Sequence, residues 1–383
     1  PPMAEGWRLA ITGAIGALLV VAALRAAEVA RGAALVMAAA GAGRWPERLA
    51  SWDAMAVDTA ERIVPSRHGP LRARVFRPRG PWRRAVLVAP GVHAAGIDEP
   101  RLTAFARRLA GRGLTVVAVE LPDLRRYAVT PRTTDMIEDA ARWLVDDVPR
   151  GVRVGVLGIS FAGGLGIVAA GRPALRDRLA WVLSFGGHGD LPRTLRYLCT
   201  GIAPDGTRRP PHDYGVAIVL LGVADRLVPP AQVETLRQGI RTFLAASHAD
   251  MIDKARARAL FERARRLEAA MPEPAATLMR YVNTRDVAAL GPLLLPHVAQ
   301  LGGHPALSPE RSPPPAAPVY LLHGADDNVI PSHESRLLAA YLEPHTDVRL
   351  LLTPLITHAE VRDARDLVDL WKLVDFWTDL LGE

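Results

Sequence analysis

The strongest constraint on this chain is a repeated exchange between short apolar runs and stretches whose apolar residues recur at helical spacing. Residues 84–90, 114–120, 152–157 and 179–185 are rich in Val, Leu and Ala, and they read as buried strands. Helical spacing marks residues 101–112 and 134–145, and an apolar segment running to about residue 170 reads the same way. Such β-α-β alternation specifies a mostly parallel sheet with helices on both faces. Residues 71–76 differ: they alternate at period two behind a His68-Gly69-Pro70 turn, which predicts an antiparallel strand.

The alternation stops near residue 190 and resumes with strands at 319–323 and 348–353 and a helix over 367–381. The text between is mostly helical and is closed by the Pro-rich segment 312–318. It includes a basic stretch, 254–271, that predicts a helix with a solvated charged face, the alternative being a membrane-surface or acidic-ligand contact. The expected organisation is therefore a hydrophobic N-terminal segment (1–50), a first half of a core (51–190), a helical cap insertion (191–315) and a second half of the core (316–383).

Residues 9–24 carry no charge and are flanked by Arg8 and Arg25. Including Trp7, the run approaches the roughly 17 apolar residues of a short bilayer span. It predicts an N-terminal anchor and a membrane contact through residues 7–24; without one, the chain would be cytoplasmic. A long helix packed on protein is the alternative.

Composition removes several function classes. Hydrophobic residues make up 49% and charged residues 23%, which excludes a disordered or collagen-like chain. With one cysteine, Cys199, the chain has no internal disulfide, Cys-rich zinc site or C-x-x-C redox pair. The net charge is +7, yet only two of the 47 basic residues, Lys254 and Lys372, are lysine. Neither lies in a Gly-rich loop, so the phosphate-cradling P-loop is missing. The arginines are spread along the chain among acidic residues, and no nucleic-acid partner is expected. There is no H-E-x-x-H pattern and no dinucleotide fingerprint with its acidic partner, so neither metal nor cofactor is expected.

Chemistry concentrates where strand 152–157 meets the next helix, in Gly158-Ile159-Ser160-Phe161-Ala162-Gly163. This is a nucleophile-elbow pattern, in which a sharp strand-to-helix turn strains the serine and demands small residues two positions to either side. Gly158 and Ala162 meet that demand. A serine needs a base to take its proton, and the base needs an orienting acid. Strand 319–323 is followed by His323-Gly324-Ala325-Asp326-Asp327, and strand 348–353 by Thr357-His358-Ala359-Glu360. An acid and a histidine thus fall on loops at the carboxyl edge, where open parallel sheets bind ligands.

Together GISFAG, HGADDNVIP and THAE give the chain a resemblance to the α/β-hydrolase superfamily, over residues 55–190 and 315–383. The resemblance implies Ser160 as nucleophile, His358 as base and Asp327 as acid, with Asp326 next in line. It also implies an oxyanion hole from the backbone N–H groups of Phe161 and Val92, or of His93 in place of Val92. His188 is expected to line the pocket. Gly222 to Pro229 copies the spacing of the acid loop; if residues 215–221 form a strand rather than a helix, Asp225 becomes the acid.

The expected activity is a serine hydrolase of the carboxylesterase or lipase kind, acting on a small-molecule or lipid ester. A thioesterase, a peptidase or a non-catalytic protein of the same fold are the alternatives.

Overall fold

The computed structural model describes residues 54–250, 252–356 and 367–382. The predicted N-terminal anchor lies outside them. Among the described residues no helix is long and apolar enough to cross a membrane.

Eight strands form one sheet: β1 (Val57–Val64), β2 (Leu71–Pro78), β3 (Arg84–Ala89), β4 (Leu114–Val119), β5 (Arg153–Ile159), β6 (Trp181–Phe185), β7 (Val319–Gly324) and β8 (Val348–Thr353). Their spatial order is β1-β2-β4-β3-β5-β6-β7-β8. β2 is antiparallel to both neighbours, and every pairing from β4 through β8 is parallel. This is the mostly parallel sheet of the α/β-hydrolase fold.

The helices are α1 (Pro100–Gly111), α2 (Pro122–Arg125), α3 (Pro131–Asp147), α4 (Phe161–Gly171), α5 (Leu191–Thr200), α6 (Asp213–Leu227), α7 (Pro230–Ala249), α8 (Lys254–Ala269), α9 (Ala275–Asn283), α10 (Val287–Leu294), α11 (Val298–Gly302), α12 (His333–Leu342) and α13 (Leu367–Gly382).

Successive strand residues point to opposite faces, and both faces of the central strands are buried. Leu87, Val117 and Val156 pack with Leu165 of α4 on one side. Val86, Val116 and Leu157 pack with Phe376 and Trp377 of α13 on the other. Burial on both faces explains why these strands read as unbroken apolar runs rather than as alternation. The strand absent from the sequence reading, β1, is an outer strand with most residues exposed, so it carries no apolar signature.

Helices α5 to α11 form an insertion that leaves the sheet after β6 and returns at β7, which are hydrogen-bonded neighbours. Residues 215–221 lie within helix α6, so the strand alternative for this segment is not realised.

The first helix of the insertion is fastened to the core by charge. Glu334 of α12 is fully buried. Its Oε2 accepts from the N–H groups of Gly189 and Asp190, each at 3.0 Å. Both of its oxygens accept from Arg193 of α5, at 2.7 and 2.9 Å. Arg193 also donates to both carboxylate oxygens of Glu310, at 2.9 and 2.6 Å. Removing one partner of such a network leaves buried donors and charge uncompensated. Glu334→Ala is expected to cost about 3 kcal/mol in urea unfolding, and Glu334→Gln less, because it keeps an acceptor oxygen. A loss below about 1 kcal/mol for the alanine variant would show that the network does not hold the insertion.

Candidate active site

The site is built on the turn between β5 and α4. Ser160 has φ 56° and ψ −132°, a left-handed conformation that costs an L-residue on the order of 1–3 kcal/mol. The turn is so tight that a Cβ added to Gly158 would lie 2.1 Å from the carbonyl oxygen of Ala162. Gly163 is equally closed, because a Cβ there would approach Ser184 Oγ to 2.5 Å. The Ser160 N–H donates to Phe185 O of β6 at 2.8 Å, and Ser160 O accepts from Gly163 N–H at 2.8 Å. The serine therefore sits at the N-terminus of a buried helix, where the peptide dipoles favour developing negative charge.

The loop after β3 comes up against it. A Cβ on Gly91 would lie 3.1 Å from Ser160 Cβ and 3.3 Å from Ile159 O, a tight approach that a side chain here would crowd. Val92 follows, half-buried, while Phe161 opens α4 and is buried. The rest of the loop is tied down. Arg125 donates to Ala94 O at 2.9 Å and to Glu120 Oε1 at 2.6 Å. His93 Nδ1 accepts from Ala95 N–H at 3.1 Å.

Asp327 follows the end of β7 and is 1% exposed. Its Oδ1 accepts from the N–H groups of Val329 and Ile330, at 2.8 and 3.0 Å. Its Oδ2 lies 3.3 Å from His323 Nε2. That imidazole is itself held between Ile330 O at 2.8 Å and Ser335 Oγ at 2.7 Å. Asp326 points outward, with a side chain 55% exposed and 3.6 Å from Arg209. Asp225 is on α6, half-exposed, with Arg237 3.1 Å from its carboxylate. His358 lies outside the described residues. Ser160 and Asp327 are thus brought to the carboxyl ends of β5 and β7, two strands flanking β6.

His188 does not line an open pocket. It is fully buried, and its Nε2 is 2.7 Å from Leu307 O. Its ring stands 5.6 Å from that of Phe161, and a Cβ on Gly164 would meet it at 2.6 Å. It braces the underside of α4.

The insertion reaches the same edge. His212 N–H donates to Asn328 O in the acid loop at 2.8 Å. Tyr197 donates to that same carbonyl oxygen at 3.3 Å. Elsewhere the insertion meets the loop after β3: the His248 ring of α7 lies against that of His93, tilted by 35° with centres 4.3 Å apart. Tyr127 Oη is 3.3 Å from His248 Nδ1, and the Tyr214 ring is 6.1 Å away. Nothing in the sequence marks His248 or these tyrosines as neighbours of the His93 loop. The one available signal is a polar residue close to the apolar positions of α7 (Leu236, Ile240, Phe243, Leu244), whose pairing with His93 depends on tertiary structure.

Burial pushes His248 down to about 3, and the adjacent His93 pushes in the same direction. His93 is also lowered, mainly by burial. Both imidazoles of this stacked region are thus shifted toward their neutral forms.

A scan against models of protein families finds no match, and a sequence search of curated proteins finds none either. Solved structures of similar shape include a hyperthermophilic esterase from Pyrobaculum calidifontis, 17% identical with a TM-score of 0.47. The match covers 94% of this chain and 92% of that one. An esterase from Pyrococcus furiosus is 11% identical with a TM-score of 0.44, covering 88% of this chain and 96% of that one. The acylaminoacyl peptidase of Pyrococcus horikoshii is 11% identical with a TM-score of 0.45; there the match spans 88% of this chain and 43% of the peptidase.

The lowered His248 has a measurable consequence. The unfolded chain takes up a proton near pH 6.5 that the folded chain refuses until about pH 3, so stability is complete above the unfolded value and falls as pH drops below it. Between pH 7 and pH 5 the contribution is on the order of 1–2 kcal/mol. Urea midpoints at the two pH values are expected to lie closer together in His248→Phe than in the parent. Equal gaps would show that this imidazole is not held neutral.

Proposed function

We propose that the protein is a serine hydrolase that cleaves a carboxylic ester through a covalent acyl-enzyme. The observation that carries this reading is the backbone of Ser160. A non-glycine residue is held in the left-handed region at a strand-to-helix turn, with the Gly91 backbone pressed against it and a buried carboxylate two strands away. A protein that used this fold only as a scaffold would have no need of a strained serine there.

In this reading Ser160 Oγ attacks the carbonyl carbon while His358 takes its proton. The N–H groups of Phe161 and Val92 receive the oxyanion, which develops at the N-terminus of α4. The tetrahedral intermediate collapses as His358 protonates the leaving alkoxide. A water, deprotonated by the same histidine, then attacks the acyl-serine and releases the acid. Asp327 holds the histidine in the required tautomer and stabilises its charged form. The two N–H groups on Asp327 Oδ1 fix that carboxylate before substrate arrives.

The helical insertion serves as a lid that shapes the acyl pocket and excludes water, with His248, Tyr127 and Tyr214 as part of its wall. An N-terminal anchor at residues 7–24 would bring the enzyme to lipid, which favours a lipophilic ester.

Labelling with a fluorophosphonate probe tests the reading, because such a probe captures only a serine activated by a base and an oxyanion hole. A single label is expected on Ser160, absent from Ser160→Ala and strongly weakened in His358→Ala. Asp327→Asn is expected to lower the hydrolysis rate by about 10⁴-fold at unchanged fold. Undiminished labelling of Ser160→Ala would sink the proposal. A panel of esters, thioesters and acyl-peptides then separates an esterase from a thioesterase or a peptidase.

A further inference from the structure

Arginine is used in two different ways in this molecule. Arginines held against the core by carboxylates are one kind: Arg67 with Glu138 and Asp139, Arg72 and Arg74 with Glu61 and Asp98, and Arg172 with Asp135 and Glu138. Exposed arginines without an acidic partner among the described residues are the other; some, such as Arg108 and Arg150, are scattered over the core, and helix α8 of the insertion gathers four of them on one element. Arg256, Arg258, Arg263 and Arg265 are all exposed, and among the described residues none has an acidic partner. The acidic groups near them are already engaged. Glu262 is 4.0 Å from Arg266, Glu268 accepts from Asn283 at 2.8 Å, and Asp253 caps the helix.

The four arginines are also ordered on the helix. Residues seven apart lie two turns apart on one side. Ala257 and Ala264 form such a pair and are the buried residues of α8, which faces α7 through Phe261 on Phe243. Arg256 and Arg263 form a second pair along one flank of that buried stripe, and Arg258 and Arg265 a third along the other. Between the flanks, on the solvent side, the crest carries Ala255 and Ala259 together with the exposed Glu262 and Arg266, which lie 4.0 Å apart. Ile252, just before the helix, is 64% exposed. The flanks thus present two rows of guanidinium groups, each able to grip a phosphate bidentately.

We infer that α8 is a docking face for an anionic phospholipid surface, which would hold the insertion against the bilayer. Charge complementarity supplies the attraction: juxtamembrane arginines without acidic partners are drawn to phosphate-bearing headgroups within a Debye length. The uncharged run at residues 9–24 and the exposed Ile252 favour a bilayer over a nucleic acid as the occupant. The inference does not depend on the hydrolase reading.

An environment-sensitive fluorophore on the crest reads docking directly, whatever the N-terminal segment does. Cys199 is buried, and burial pushes its thiol up to about 12, so it does not compete with a cysteine placed by Ala259→Cys in the full chain. A blue shift is expected with vesicles of phosphatidylcholine containing phosphatidylglycerol, reversed by high salt and absent with phosphatidylcholine alone. Adding R256Q, R258Q, R263Q and R265Q is expected to weaken the response on the order of several hundredfold in lipid concentration. The four Arg→Lys changes should largely retain it. Fluorophosphonate labelling of Ser160 should be the same in all three proteins. The inference is overturned if the shift is missing, is equal on neutral vesicles or survives the four glutamines. It is equally overturned if duplex DNA produces the shift at lower concentration than the vesicles do.

Discussion

The structure around the site depends on one backbone constraint, the left-handed turn at Ser160. A chain that reverses so abruptly from β5 into α4 brings the end of the strand and the first turn of the helix within contact of each other. Side chains are excluded from several positions at once. Gly158 is closed off by the Ala162 carbonyl and Gly163 by Ser184, and Gly91 of the neighbouring loop is crowded by Ser160 itself. The helix that follows reads FAGGLGIVAAG, and every residue in it is buried. Its small residues allow it to lie close to the sheet, and that packing holds the strained turn in place.

Much of this was legible because burial on both faces of the sheet leaves a strong signature. β3, β4, β5, β6, β7 and β8 all show as apolar runs, and the glycines flanking Ser160 show as a local motif. β1 was invisible because an exposed outer strand needs no apolar run. Asp225 imitated the acid loop, since a G-x-x-D-x-x-V-P spacing fits the end of helix α6 as well as the end of a strand. Only the helical packing of Gly215 to Leu221 separates the two. His188 was misread as pocket lining because a histidine after a strand carries no label saying which side of the helix it falls on. The contact of His248 with His93 pairs an inserted helix with a core loop far away in sequence, and no local pattern encodes it.

The electrostatics divide the molecule by solvent access. Where arginine is enclosed, as at Arg193 between Glu310 and Glu334, it is balanced by more than one carboxylate, because a lone buried charge would be untenable. Where it is fully hydrated, as on α8, no such demand exists and the charge is free to act at a distance. Around the site the solution is different again: burial, more than any single neighbour, pushes the His93 and His248 imidazoles down.

The insertion leaves at the carboxyl end of β6 and the chain re-enters at the amino end of β7, its parallel hydrogen-bonded neighbour, so both ends are anchored on adjacent strands at opposite edges of the sheet. For a loop whose ends are already pinned, the entropy of closure grows only with the logarithm of its length, roughly 0.6 kcal/mol for each doubling. Adding or removing a helix between α5 and α11 therefore changes that closure entropy little and leaves the frame of Ser160 and Asp327 where it is. In evolutionary terms, the insertion can be rewritten while the Ser160 turn and the Asp327 loop stay fixed.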